Sequence, residues 1–346
     1  MEQITIKEIA RLCGVGVSTV SRAINNHPDI NPETKKKIMD IIQEYDYVPN
    51  NSARNLKRTE SHTIALMIKG ISNPFFGEII QTFEREVEHQ EYSFIPHQVE
   101  EHEDELEAAI QLEKEKRLKG IIFLGGLNCR SEASLRRLTV PFVVSTVDMK
   151  LPETIEKGAV VSIDHEAESF RLVDNLCRMG HRKIAILAAR EEDESIGQSR
   201  LRGYERALRE HGIEMDPELI IYMKKGLRTY TSSSGYEMTR DLVESGKEFT
   251  CVYAISDTMA IGAMRALLDC GLRVPEDVSV AGFDGLEMGR YYCPRLMTIS
   301  QPREEMARET VHILFDMIKG REVPKQTMLE AQLVPGESVR SIAPQM

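Results

Sequence analysis

The sequence has no tryptophan, no low-complexity tract and no stretch approaching the roughly eighteen apolar residues of a membrane span. Its first residues, MEQITIKEIARL, lack the apolar core of a secretory signal. These absences argue against a membrane protein, large-scale disorder and export, and lead us to expect a cytoplasmic chain. Six cysteines, at positions 13, 129, 177, 251, 270 and 293, form no C-x-x-C and have no paired His spacing, so neither a zinc site nor a disulfide framework is suggested. They read as buried thiols. Net positive charge is lacking too: 44 Lys and Arg stand against 55 Asp and Glu, a net charge of −11 that as a bare sum disfavours nucleic acid.

The distribution of charge changes that reading. Residues 1–60 carry nine Lys/Arg and eight Asp/Glu, so they are slightly positive and the remainder holds all the negative excess. Only this N-terminal segment is suited to phosphate contact. With 346 residues, 41% of them hydrophobic, the chain is long enough for two or three globular domains.

Within the segment, Thr5 and Glu8 have the spacing of a capping box, in which each side chain satisfies an open amide of a helix start. A helix is expected from there to about Leu12. Gly14 and Gly16 supply a turn, and a second helix is expected over Ser18 to Asn25. On it Val20, Ala23 and Ile24 share one stripe while Ser18, Ser21, Arg22 and Asn25 share the opposite one. A small, polar, cationic stripe suits base edges and phosphates. Asn31-Pro32 reads as the start of a third helix, whose Ile38, Ile41, Ile42 and Tyr45 are expected to close a three-helix core.

The run from Ile4 to Lys57, ITIKEIARLCGVGVSTVSRAINNHPDINPETKKKIMDIIQEYDYVPNNSARNLK, resembles the DNA-binding headpiece of the LacI/GalR family of bacterial transcription regulators. The resemblance implies that Val17, Ser18 and Arg22 read bases and that Thr5, Thr19, Ser21, Asn25 and Thr34 touch the phosphate backbone. Gly16 departs from the family's usual Ser, which puts one phosphate contact in doubt. Asn50 to Lys57 resembles the family's hinge helix, with Asn50 and Ala53 against DNA and Leu56 wedged into the minor groove. Such a wedge unstacks base steps and kinks the duplex. The resemblance further implies a homodimer on a pseudo-palindromic operator, because the symmetry of dimeric helix-turn-helix proteins matches that of their sites. The ending LVPGESVRSIAPQM has no a/d apolar repeat, so no tetramer-forming heptad segment is expected.

From Thr63 onward short β runs alternate with amphipathic helices, the pattern of βαβ units on parallel sheets. Strands are expected at Thr63–Ile68, Ser93–Pro96, Gly120–Leu124 and Phe142–Thr146, with helices at Phe75–Gln90 and Glu103–Lys116. A second lobe is expected to open with the strand Val160–Ile163 and to continue through strands near 183–188, 219–222, 251–255 and 279–283. The strand Met297–Ser300 and the helix Arg303–Lys319 are expected to return to the first lobe. The fold class is therefore α/β: a three-helix helix-turn-helix domain at 1–49, a hinge helix and linker at 50–60, and a two-lobed body at 61–346. The first lobe is drawn at about 61–160 plus 293–325 and the second at about 161–292 plus 326–342. The body resembles the type I periplasmic-binding-protein fold that the family carries as its effector domain.

Ligands of open α/β sheets sit beyond the carboxyl ends of the strands. The resemblance implies an effector site of Asn73, Phe75 and Phe76 after the first strand, with Arg200, Tyr230, Ser256 and Asp284 in the second lobe. Ser256 stands where the family commonly has Asn. Each residue also has a plainer role open to it: Arg200 as a surface ion pair, Tyr230 as packing, Asp284 as a helix cap. The implied effector is a small molecule, a sugar or phosphosugar, with no cofactor and no metal.

An enzyme would need signals that are missing, among them G-x-x-x-x-G-K-[ST], G-x-S-x-G and H-E-x-x-H. A periplasmic sugar-binding protein would need a signal peptide in place of a DNA head. A phosphorylated carrier protein acting as corepressor, as in the catabolite control branch, remains as an alternative to the small effector; EREVEHQEYSF at 84–94 does not mark a surface for it.

Overall fold

The computed structural model describes residues 5–24, 29–45, 62–70, 73–100, 103–127, 131–192, 195–224 and 226–343. The chain splits into two compact units, Met1–Ser61 and His62–Met346. The expected contacts of Asn25, Asn50, Ala53 and Leu56, and the hinge helix itself, lie outside the described residues.

In the first unit α1 (Ile6–Cys13), α2 (Val17–Ile24) and α3 (Pro32–Glu44) close around Ile9, Ala10, Cys13, Val20, Ala23 and Ile38. The capping box at the start of α1 is formed: Glu8 Oε2 accepts from the Thr5 amide at 2.7 Å, and Thr5 Oγ1 accepts from the Glu8 amide at 3.4 Å. Gly14 ends α1 with φ +70, a left-handed conformation that costs glycine little. Asn31 Oδ1 accepts from the Glu33 amide at 2.9 Å and so caps α3, as the Asn-Pro pair led us to expect. Tyr45 is a correction. It lies past the end of α3 and is 47% exposed, and the core is closed by Ile38 with partly buried Ile30, Ile41 and Ile42 instead.

The second unit contains two six-stranded sheets of the same strand order. The first takes β1 (Thr63–Lys69), β2 (Ser93–Val99), β3 (Gly120–Leu124), β4 (Phe142–Ser145), β5 (Gly158–Ile163) and β11 (Gln326–Leu329) in the order β11-β5-β4-β3-β1-β2, all parallel. The second takes β6 (Ile184–Ala188), β7 (Ile220–Tyr222), β8 (Cys251–Ala254), β9 (Ser279–Asp284), β10 (Met297–Ser300) and β12 (Gln332–Val334) in the order β12-β10-β9-β8-β6-β7, with only β12 antiparallel. Central strands such as TIALMIK are buried on both faces, which is why they read as continuous apolar runs.

Helices α4 (Phe75–His89), α5 (Glu105–Lys116), the short α6 (Glu132–Leu135) and α12 (Arg303–Ile318) belong to the first lobe. Helices α7 (His165–Arg178), α8 (Ile196–Glu210), α9 (Ser232–Glu244), α10 (Asp257–Asp269) and the short α11 (Glu287–Tyr291) belong to the second. The pairs α7/α8 and α9/α10 pack backbone to backbone. A Cβ on Gly203 would lie 2.3 Å from the Glu166 carbonyl oxygen, and one on Gly262 would lie 1.9 Å from that of Ser232.

Three expected placements are overturned. Val160–Ile163 does not open the second lobe; as part of β5 it pairs with β4 and β11 in the first sheet. Met297–Ser300 does not return to the first lobe, because β10 pairs with β9, and the return begins with α12. Residues 326–329, drawn in the second lobe, supply β11 to the first sheet. A short apolar run says that it is buried, not which sheet edge it meets, and pairing decides that. The thiols also divide: Cys13, Cys177 and Cys251 are buried as expected, whereas Cys270 and Cys293 are exposed. No metal-binding cluster occurs among the described residues, and none of their helices is long and apolar enough to cross a membrane.

Candidate functional site

On the first unit, α2 buries Val20 and Ala23, which turns Ser18 and Arg22 to solvent and leaves Val17 40% exposed. Thr19, Ser21 and Thr34 are half-buried. The hydroxyl of Thr5 is engaged with Glu8, to which it also donates at 2.9 Å. Lys37 donates from Nζ to the Cys13 carbonyl at 3.1 Å and so satisfies an open carbonyl at the end of α1. Short hydroxyl side chains beside one exposed guanidinium make a face that a duplex backbone can approach closely.

In the second unit both sheets reverse strand order at their first strand, β1 in one and β6 in the other, and a crevice opens beyond the carboxyl ends at such a switch point. Arg200 on α8 and Asp284 at the end of β9 meet there. Both are buried, with Arg200 Nη2 3.3 Å from Asp284 Oδ1. The guanidinium lies 3.8 Å above the Phe283 ring, donates from Nη1 to the Ile255 carbonyl, and approaches His165 Nδ1 at 3.3 Å. Gln301 Nε2 donates to the same Asp284 oxygen at 2.8 Å. Burial pushes the Asp284 carboxyl up to about 6, against the pull of Arg200.

The cluster is under-satisfied. Among the described residues Asp284 Oδ2, Gln301 Oε1 and Arg200 Nε are buried without a hydrogen-bond partner. Buried polar atoms are nearly always paired, so three exceptions on Asp284 and the two residues that contact it make this the candidate ligand site. Left-handed φ values at Thr146 (+76), Tyr230 (+55) and Asp284 (+120) put strained backbone at the same ends of the sheets, where such strain collects around function.

The remaining expected residues occupy plainer positions. Ser256 caps α10 through its hydroxyl, which accepts from the Met259 amide at 3.3 Å and lies 3.1 Å from Thr258 Oγ1. Thr258 in turn donates to the Tyr230 carbonyl at 2.8 Å, which ties the Tyr230 loop to Ser256. Asn73 Oδ1 accepts from the Phe75 amide at 3.1 Å, and the Phe75 and Phe76 rings are largely buried 5.6 Å apart. Phe76 closes on Gly125, where a Cβ would lie 2.8 Å from its ring. The structure therefore unites Arg200 with Asp284, joins Ser256 to Tyr230, and keeps Asn73, Phe75 and Phe76 at the opposite lobe.

Four residues of the cleft were not singled out in the sequence: Asp148, Thr146, His165 and Gln301. Asp148 receives a contact across the lobes from Ser199 Oγ at 3.4 Å. All four lie within three residues of the end of a strand, so the post-strand rule, applied to every strand, finds them.

Residues 5–50 match the domain described as bacterial regulatory proteins, lacI family, and residues 173–339 match a periplasmic binding protein-like domain. The chain is 38% identical to the HTH-type transcriptional regulator MalR of Clostridium butyricum over 97% of this chain and 99% of that protein. It is also similar to the lac repressor dimer bound to operator and the anti-inducer ONPF, with a TM-score of 0.77 at 25% identity over 98% of this chain and 100% of that one. A transcriptional regulator CelR, solved as its cellobiose complex, gives a TM-score of 0.70 at 30% identity over 97% of this chain and 100% of that one.

Proposed function

Because the chain belongs to the LacI family of DNA-binding transcription regulators, we propose that it is a repressor that binds a pseudo-palindromic operator as a homodimer, under control of an uncharged polyhydroxylated effector in the cleft. The observation that carries the effector assignment is the unsatisfied trio. Asp284 Oδ2 and Gln301 Oε1 are acceptors and Arg200 Nε is a donor. A sugar hydroxyl both donates and accepts, so neighbouring hydroxyls complete all three; a phosphate dianion offers acceptors alone. Charge agrees with this reading. Arg200 faces Asp284, Lys69 at the end of β1 is paired with Glu105, and Arg303 donates to Glu78 at 2.7 Å, so each of these cations already has a carboxylate. A sugar is accordingly favoured over a phosphosugar.

The family's common operation supplies the coupling. A ligand that prefers one lobe arrangement shifts the population of that arrangement, and operator affinity follows as a coupling free energy. For self-association, Met288 and Tyr291 on α11 are 57% and 80% exposed, with Tyr292 beside them, an apolar and aromatic surface suited to an isologous contact.

The test is selection from a DNA library at physiological salt, repeated with neutral sugars and with their phosphate esters. A recovered pseudo-palindrome whose enrichment changes with a neutral sugar supports the reading. A response confined to phosphate esters refutes the effector class, and a motif without two-fold symmetry refutes the dimer.

A further inference from the structure

We propose that His165 is a positioning residue that conveys occupancy of the second-lobe effector residues to the first lobe, holding Arg200 on one ring nitrogen and the Thr146 backbone on the other. This inference rests on the cleft being the effector site.

His165 is the first residue of α7, directly after the chain leaves β5 for the second lobe, and its side chain is fully buried. Nδ1 is 3.3 Å from Arg200 Nη2, and Nε2 is 3.0 Å from the Thr146 carbonyl oxygen. A guanidinium has no lone pair to offer, so Nδ1 must accept and the proton must sit on Nε2, which donates to Thr146. Both nitrogens are then committed, in one tautomer. A second ring proton would face the N–H of Arg200, and burial together with that cation holds the imidazole well below its ordinary titration range.

Each neighbour extends the link. Thr146 has φ +76, a costly conformation for a β-branched residue, and is held in it from three sides. Its amide donates to the Val161 carbonyl at 2.9 Å, its hydroxyl accepts from the Gly125 amide at 3.2 Å, and its carbonyl accepts from His165. On the other side Arg200 Nη2 is shared between His165 and Asp284 at 3.3 Å each, long for a charge-assisted bond. A hydroxyl that completes Asp284 or Arg200 alters that sharing. The change passes through one rigid ring to a strained residue of the first lobe, whose hydroxyl touches the turn packed on Phe76.

The experiment compares His165→Phe, which removes both nitrogens, with His165→Gln, whose amide keeps an acceptor and a donor. Operator affinity of the full-length protein is measured by fluorescence anisotropy with and without cellobiose, maltose, glucose and ribose, and sugar affinity by calorimetry. The phenylalanine variant is expected to bind operator within about fivefold of the unmodified protein in the absence of sugar, to bind sugar more weakly because Arg200 is released, and, at sugar concentrations that saturate it, to lose most of the sugar-induced change in operator affinity; glutamine is expected to restore part of both. In the unmodified protein, 15N signals of His165 are expected to show the Nε2–H tautomer and to shift when sugar binds. An undiminished sugar response in the phenylalanine variant overturns the inference, as does an Nδ1–H tautomer, which needs no variant to fold. If none of the four sugars binds or acts on the unmodified protein, the cleft assignment fails for this class and the coupling role fails with it.

Discussion

Asp148 and Ser199 lie 3.4 Å apart across the cleft, one just after β4 in the first lobe and the other on α8 in the second. Burial pushes the Asp148 carboxyl up to about 6, with the nearby Asp164 charge adding in the same direction and Arg200 and Arg202 opposing it. A folded pKa above the unfolded value means that the folded state binds this proton more tightly. Stability from this group is therefore full below about pH 4 and falls as pH rises through about 6. Asp148→Asn is expected to gain on the parent between these limits and then hold a constant advantage, on the order of 1 kcal/mol after solvent screening. Urea melts from pH 4 to 7.5 check this, and a difference between the two proteins that does not change with pH contradicts it.

The capping box makes a separate prediction for the first unit. Thr5→Ala is expected to cost α1 about 1 kcal/mol. Hydrogen exchange of residues 6–44 should quicken about fivefold while amides of the second unit keep their rates. Equal acceleration in both units would contradict the division of the chain at Ser61.

Two glycine substitutions should separate packing from conformational freedom. Gly262→Ala places a methyl group 1.9 Å from the Ser232 carbonyl oxygen, so α9 and α10 must part at a cost of at least about 3 kcal/mol. Gly77→Ala meets nothing within 4 Å on α4 and is expected to be neutral, or stabilising by up to about 1 kcal/mol. Thermal unfolding of both variants decides.

Arg22→Ala leaves the core of the first unit intact, because the side chain is exposed. Loss of discrimination at one base position, by about 1–3 kcal/mol, is expected alongside retained weak binding to unrelated duplexes. Competition binding with single-base operator variants measures it; uniform weakening across all variants would make Arg22 a phosphate contact instead.

Tyr291→Glu combined with Met288→Lys is expected to shift the protein from dimer to monomer in sedimentation and to weaken operator binding steeply, without altering sugar affinity. An unchanged sedimentation coefficient would move the contact elsewhere.

What was legible in the sequence followed from local chemistry. Thr5 with Glu8 and Asn31 with Pro32 fixed two helix starts because caps act over three residues, and Gly120–Leu124 was bounded correctly because a buried parallel strand is apolar throughout. Sheet membership of Val160–Ile163 and Met297–Ser300 was illegible, since it depends on partners far along the chain. Arg200 and Asp284 could each be named from resemblance, but not that they pair with one another, that Gln301 shares the same carboxylate oxygen or that His165 stands behind the guanidinium. Ser256, expected as an effector residue, has its hydroxyl engaged as the cap of its own helix, a role the sequence does not announce.

The last strands of both sheets come from one short stretch, β11 for the first lobe and β12 for the second, separated by two residues. Beyond them Ser338 accepts from the Met297 amide and donates to the Val280 carbonyl, and the Arg340 carbonyl lies 3.1 Å from His181 Nε2. During synthesis, then, the first lobe cannot seal its edge before 326–329 and the second before 332–340 have left the ribosome, and both seal almost together. A nascent chain holding only the first unit and an open body carries the reading helix without the means to answer an effector. The two lobes of the body thus become whole together, at the close of synthesis, rather than one after the other.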